Sequence, residues 1–376
     1  MAGDYTPGHL TLPHMLTAEL LTARLHHQKL IQSNLSTPAD VVLWMGAVQA
    51  QDFPAAKWGL CMRAQGGLLD LDVEQAFNDG AILRTHVLRP TWHFVSPADI
   101  RWMLKLSAPR VHAASAYYYR QAGLDQKVFG RSCAMLQRAL DGSNYLTRTE
   151  LAKHLRRAKV PADGLKLAYI MMHAELEGII CSGPRRSKHF TYALLDERAP
   201  QKTAIVDRDH ALAELATRYF RSHGPATLRD FVWWSGLTSK DARVGIAAAT
   251  PAFVESTIDG RAHWRAGDVP APAVKGCMVF LLPNYDEYLI AYKDRGAVIE
   301  TSRAANLVAR SNGGFGNHLI IDGRLAGGWR RTLKGHVVAI EVAPYKPLTP
   351  SQKGAVDTAA DRYGEFLNQR AELSVV

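Results

Sequence analysis

Several absences narrow the chain before any motif is considered. Its 376 residues include four cysteines, Cys61, Cys133, Cys181 and Cys277, with no C-x-x-C pair and no spacing by which thiolates hold a metal. That excludes a disulfide-stapled scaffold and fits free thiols in a reducing compartment. No stretch approaches the length of apolar run that spans a bilayer, and CMVFLLP at 277–283 is far too short. The opening MAGDYTPGHL lacks the basic and apolar segments of a secretory signal, so a cytoplasmic protein with no membrane partner is expected. Neither standard glycine-rich phosphate loop is present, nor H-E-x-x-H, nor a deaminase zinc pattern. The fifteen histidines do not pair with acids or cysteines at ligand spacing. The expectation is no cofactor and no metal.

What the chain has in excess is positive charge. There are 45 Lys and Arg against 35 Asp and Glu, a net charge of +10, which favours a polyanionic partner. The excess is concentrated. Between 153 and 189 stand Lys153, Arg156, Arg157, Lys159, Lys166, Arg185, Arg186 and Lys188 against Asp163, Glu175 and Glu177. A solvated face is the plain alternative; phosphate contact is the better reading.

The basic stretch falls inside a repeated layout. YLTRTELAKHLRRA opens on a Thr147 cap with Glu150 three residues on, the capping-box arrangement, and LKLAYIMMHAELEG reads as a second amphipathic helix ending at Gly178. IICS and HFTYALL then form a hairpin around the basic tip GPRRSK. Helix, turn, helix and hairpin is the layout of a winged helix, which commonly lays its second helix along DNA. The order recurs in ALAELATRYFRSHG, GPATLRDFVWWSG capped at Thr227, LTSKDARVGIAAA, and the strands FVESTI and AHWRA around the 258–261 turn. A third copy lies near the N-terminus, where STPADVVLWMGAVQAQ and DVEQAFNDGAILRTHV supply helices and TWHFVS a strand. Beyond about residue 270 come GCMVFLLP, YLIAYK, HLIIDGRLAGGWRR and HVVAIEVAP, read as strands with a DG turn at 322–323, and then a closing helix. The expected fold class is α+β, with tandem winged-helix units at 1–125, 126–200 and 201–268 and a small β-rich C-terminal domain at 269–376.

Further candidate site residues fall in four places. In LRTHVLRPTWHFV (83–95), Arg84, His86, Arg89 and His93 could line a cleft with apolar residues packed behind; for His93 the alternative is a satisfied structural histidine. Arg330 and Arg331, after Trp329, are phosphate-contact candidates or a plain solvated pair. Asp286 and Glu287 in LLPNYDEY would point to opposite faces of a strand, which suits turn and strand-end roles better than a paired acid and base. The remaining feature is Gln49 and Gln51 in VQAQDFP. Pro54 pushes Phe53 out of helical geometry, so a helix is expected to end near Gln51 or Asp52, letting the two carboxamides converge. The alternative is one glutamine in water and one capping a helix. A carboxamide is no base at neutral pH, but it positions water or a base edge through a carbonyl acceptor and two N–H donors. That suits a reaction whose leaving group is already activated, such as loss of a cationic, N-alkylated purine.

These segments together resemble the AlkZ/YcaQ family of DNA glycosylases: QAQ at 49–51, R-x-T-W-H at 89–93, LLPNYDEYLIAYKDR at 281–295 and IDGRLAGGW at 321–329. The similarity runs from about residue 15 to 370. It implies tandem winged helices and a β-rich C-terminal domain around a DNA-sized channel, and monofunctional removal of alkylated purines, with some members unhooking interstrand crosslinks. It also implies that Gln49 and Gln51 are the catalytic pair, in the two-glutamine variant; Asp52 lies one position too late to replace the second member. The mechanism expected from the resemblance has the pair hold a water beneath the anomeric carbon as the cationic base departs. The partner is double-stranded DNA and the chain a monomer. The reading from another class is a non-catalytic winged-helix regulator, against which stand the tandem units and the lack of a zipper.

Overall fold

Thr37, Thr147, Thr227 and Thr349 each accept from the N3 backbone N–H, while the N3 side chain answers to the cap. Four helices therefore start where a capping box places them. The computed structural model describes residues 11–12, 17–200, 207–267, 276–299 and 316–376; the first ten residues, read above as lacking a secretory signal, lie outside them. No helix among the described residues is long and apolar enough to cross a membrane.

Three units of helices each carry a three-stranded sheet. In the middle one, helices Gln126–Leu140, Arg148–Arg157 and Gly164–Leu176 accompany Leu146–Thr147, Ile180–Ser182 and Thr191–Leu194, the last strand lying centrally. The next has helices Arg208–His223, Leu228–Ser235 and Ser239–Ala249, then Phe253–Ile258 and Arg261–Ala266. Its sheet gains a third strand from Thr11–Leu12, parallel to Phe253–Ile258, which the sequence reading did not foresee. The N-terminal unit has helices Pro38–Met45, Phe53–Cys61 and Asp70–Asp79, and its sheet places Trp92–Val95 between Ala47–Gln49 and Leu83–His86. The second and third units are not separate cores: Leu151 and Ile170 join Leu215, Phe231 and Trp102 in one buried cluster. Gly236 shows how closely the units approach, because a Cβ there would lie 2.4 Å from the Leu88 carbonyl oxygen.

The C-terminal sheet runs Val279–Leu282, Asn317–Ile321, Arg324–Lys334, Val337–Pro344, Arg370–Val375. The first four strands are antiparallel; the last follows the closing helix Pro350–Phe366 and pairs in parallel. Trp58 of the N-terminal unit is buried against this domain, its ring 5.0 Å from Tyr363 and its Nε1 donating to the Leu281 carbonyl. Burying a side chain of that size contributes about 2 kcal/mol or more.

Three local expectations are corrected. The helix expected to reach Gln51 stops at Met45, because Gly46 takes φ 78° and turns the chain into the strand Ala47–Gln49. Pro54 does not end a helix but sits in the first turn of the next, with Asp52 as its cap accepting from the Ala55 N–H at 3.2 Å; a first-turn proline has no intrahelical N–H to lose. YLIAYK is not a strand: Asp286 caps the short helix Glu287–Ile290.

Candidate active site

Gln49 closes the strand Ala47–Gln49, and Gln51 follows it in a bend. Gln49 pairs in register with His93, and the ladder continues one residue further through Ala50 N–H to the Trp92 carbonyl at 2.8 Å. The strand, rather than a helix end set by Pro54, brings Gln49 against the R-x-T-W-H stretch, and Gln51, in the bend that follows, meets the same stretch. Gln49 is buried and Gln51 exposed. The Gln49 Oε1 accepts from Arg89 Nη2 at 3.3 Å, and the Gln51 Oε1 accepts from the Trp92 N–H at 3.4 Å. Both donors belong to the R-x-T-W-H stretch, which crosses the glutamine segment on the central strand. Gln51 lines an open pocket of about 470 Å³ with Asp52, Arg84, Arg185, Phe190, Asn284 and Tyr285.

Beneath the pair sits a residue given only a turn or strand-end role from sequence. Glu287 is 1 % exposed; it accepts from the Gln49 N–H at 2.8 Å and from Trp234 Nε1 at 3.1 Å, with His223 Nε2 at 3.6 Å. Burial pushes its carboxyl up, but His223 and the Gln49 N–H outweigh this and hold it below the usual range. The result is a buried carboxylate at the back of the glutamine strand. Its neighbour Asp286 turns the other way, into a fully buried fork with Arg63 at 2.8 Å on both oxygens. The two acids do diverge, as expected, but one of them supports the site. The LLPNYDEYLIAYKDR segment contains it, but nothing in the sequence marks its role, because its partners are 238 and 53 residues away.

The cleft expected on 83–95 is largely filled. Arg84 is buried, its Nε donating to the Ala50 carbonyl at 2.9 Å and its guanidinium lying 4.4 Å from the Trp92 ring and 4.8 Å from Phe190. His86 is buried beside Trp92, with Nδ1 on Glu175. His93 has no exposed surface; its Nδ1 meets the Thr91 carbonyl at 2.9 Å, and burial, with Arg89 nearby, drops its pKa to about 3. As a DNA contact His93 is corrected, since it has no exposed surface; Arg84 and His86 are largely buried in the sheet, though Arg84 still lines the open pocket with Gln51. Arg89 is the least buried of the four and reaches Gln49.

At the basic tip, Arg185 pairs with Glu74 at 3.4 Å and lies 5.1 and 4.7 Å from the Phe53 and Phe190 rings. Arg186 forks onto Glu150 at 3.0 and 2.8 Å. Lys188 is exposed. Arg330 is exposed but paired with Glu341 on the adjacent strand at 2.7 Å, and Arg331 is half-buried 5.5 Å from the Tyr363 ring. Elsewhere, His112, His173 and Glu177 gather with their ligand-type atoms within 4.8 Å; His173 and Glu177 stand four residues apart at one helix end, a histidine–acid spacing the sequence reading passed over, and His112 joins them from another helix.

Three likenesses bear on this arrangement. A Streptomyces sahachiroi protein named interstrand DNA cross-link repair glycosylase is 23% identical over 323 residues, covering 81% of this chain and 85% of that protein. The solved structure of Streptomyces sahachiroi DNA glycosylase AlkZ superposes with a TM-score of 0.79 at 20% identity, covering 96% of this chain and all of that one. Residues 42–366, which include Gln49, Gln51, Arg89 and Glu287, match the family described as DNA glycosylase AlkZ-like, and the chain belongs to that family.

Proposed function

We propose that this chain is a monofunctional glycosylase that removes N-alkylated purines from double-stranded DNA, of the N7-alkylguanine or N3-alkyladenine type, with interstrand crosslinks within its range. The observation that carries the reading is the Gln49–Gln51 pair, with each carboxamide oxygen already accepting one hydrogen bond from the R-x-T-W-H stretch. A carbonyl oxygen has two lone pairs; the second on each is left for a water. The departing purine carries the positive charge of alkylation, so no strong acid is needed to drive it off. Positive charge then develops on the sugar, and stabilising it falls to oriented dipoles and to the buried carboxylate of Glu287. Glu287 acts through Gln49 as a positioning residue, fixing the strand by its bond to the Gln49 N–H. No Schiff-base lysine is called for, so strand scission is not expected.

In this reading the three helical units with their small sheets are winged helices, and the chain works as a monomer on a duplex. Interstrand crosslink repair is the activity in the name of the 23%-identical relative, which is why a crosslinked duplex belongs in the test. Duplexes carrying one N7-methylguanine or one N7-linked interstrand crosslink are incubated with the protein and scored for abasic sites. Abasic sites without nicked strands are expected. Binding to both duplexes with no base released from either contradicts the reading.

A further inference from the structure

His112 stands on helix Ile100–Gln121 and His173 on helix Gly164–Leu176, four residues before Glu177, which ends that helix. At that spacing His173 and Glu177 share a helix face, and the packing of the two helices brings His112 against them. One ligand-type atom from each of the three lies within 4.8 Å of the others. His112 Nε2 is 3.0 Å from Glu177 Oε1, yet it is a buried nitrogen out of line for a hydrogen bond. Proximity without alignment leaves lone pairs on both groups for a third body. The rings are held from behind. His112 Nδ1 meets the Tyr119 hydroxyl at 3.3 Å, and a hydrogen bond at one ring nitrogen fixes which nitrogen is left to act as a ligand. His173 is buried, its ring stacked on Phe129 at 3.9 Å and its Nδ1 3.9 Å from Cys133 Sγ. Glu177 is half exposed and, with His112, lines an open cleft of about 530 Å³. The cluster is therefore anchored on its histidine side and reachable from solvent on its carboxylate side.

Two imidazoles and one carboxylate, with a fourth position open to water, are a recurrent donor set for zinc; magnesium and calcium take oxygen ligands instead. Donor atoms around a tetrahedral zinc stand about 3.4 Å apart, so separations of 3.0 Å for one pair and up to 4.8 Å for the widest call for a shift of roughly 1.4 Å. Glu177 and His112, the two partly exposed members, can supply it by adjusting their rotamers.

We propose that His112, His173 and Glu177 bind one divalent transition-metal ion of the zinc class, with water in the fourth position, as a structural clamp between helices Ile100–Gln121 and Gly164–Leu176. The site shares no residue with the glutamine pair and its partners, and nothing in it depends on the chemistry assigned to them. An ion held only by the folded chain, through ligands far apart in sequence, stabilises the fold by mass action.

The test uses the full chain, stripped with a chelator and dialysed, with zinc and cobalt chlorides as the probes. Zinc is followed by equilibrium dialysis with metal analysis and by the thermal midpoint. Cobalt is followed by its visible absorption, which is intense in a tetrahedral site, and by the near-ultraviolet charge-transfer band that a thiolate ligand adds. The wild type should take up about one equivalent at micromolar metal, melt several degrees higher with zinc, and give tetrahedral cobalt bands with no thiolate band. Glu177→Gln and His112→Gln should each weaken uptake on the order of tenfold or more and lose the thermal shift. Glu177 is half exposed at a helix end, so its variant reads the site even where His112→Gln does not fold. No uptake by the wild type overturns the proposal and reduces the cluster to a His112–Glu177 ion pair. A thiolate band, or uptake unchanged in either folded variant, overturns it as well, because the ion then sits on other donors.

Discussion

Two basic regions of this molecule behave in opposite ways. The tip between Ile180–Ser182 and Thr191–Leu194 is conspicuous in sequence, with Arg185, Arg186 and Lys188 close together. In the fold, Arg185 is taken by Glu74 and two phenylalanine rings, and Arg186 by a Glu150 that also closes the Thr147 capping box. The second region, beside Gln49, is inconspicuous in sequence: Arg89 and Lys293 lie 6.0 and 4.3 Å from the Trp233 ring, and neither has a carboxylate at ion-pair distance among the described residues. What decides whether a cation can meet a phosphate is its existing partner, and partners are set by tertiary structure. A charge count along the chain does not show these partners.

The most damaging way to break the second region lies beneath it. Glu287→Ala strips the buried acceptor from the Gln49 N–H and Trp234 Nε1, and leaving such groups unpaired should cost about 3 kcal/mol of stability. The check is urea unfolding, with excision measured on the surviving folded protein. Glu287→Gln should restore much of the stability, since an amide oxygen still accepts, but should lose excision, because the charge is gone. Full activity in Glu287→Gln would remove the carboxylate from the account.

Acid should separate the two regions next. Burial, the largest cause in each, drops His93 to about 3, and His27 and His318 each to about 4, from an ordinary 6.5. The unfolded chain binds these protons below pH 6.5 and the folded chain does not until much lower. Stability is therefore complete above pH 6.5 and falls as pH drops toward 4, by roughly 1.4 kcal/mol per pH unit for each histidine while it is proton-free in the fold and protonated in the unfolded chain. Glu150, held at about 2 by Arg186 and Thr147, keeps its ion pair throughout that window. Urea midpoints across pH 4 to 8 should show the decline, and His93→Gln should make it shallower if the variant folds.

The smallest effect is expected at the tip. Neutralising Arg185, Arg186 and Lys188 together should flatten the salt dependence of DNA binding by about one ion equivalent rather than three, matching Lys188→Gln alone. Glu150→Gln should move it the other way by releasing Arg186. A loss of three in the triple variant would show that the ion pairs open on DNA.

How much of this could be read from the chain follows from the range of each interaction. Caps and glycine stops are local, so Thr147 with Glu150, Thr227 with Gly236, and the closing helix begun at Thr349 were all legible within a few residues. Gly46 misled because VVLWM and AVQ flank it with the same apolar character, and only pairing with Trp92–Val95 makes AVQ a strand. YLIAYK alternates like a strand, yet the Asp286 cap and burial on all sides make it a helical turn. Arg370–Val375 was missed because its partner strand lies beyond a helix of 17 residues. At the site, the glutamines and Arg89 were visible as motif residues. Glu287 lies inside the LLPNYDEYLIAYKDR segment, but its role was not visible, since it is set by contact with segments far along the chain.

The central claim is that Gln49 and Gln51 act on the bond being broken rather than only on the grip of the nucleotide. Single-turnover excision from an N7-methylguanine duplex, with enzyme in excess at concentrations that saturate both proteins, measures the chemical step apart from binding. Gln49→Ala with Gln51→Ala should bind that duplex within a few-fold of wild type and excise on the order of a hundredfold or more slowly. An unchanged single-turnover rate, with or without weakened binding, would contradict the account.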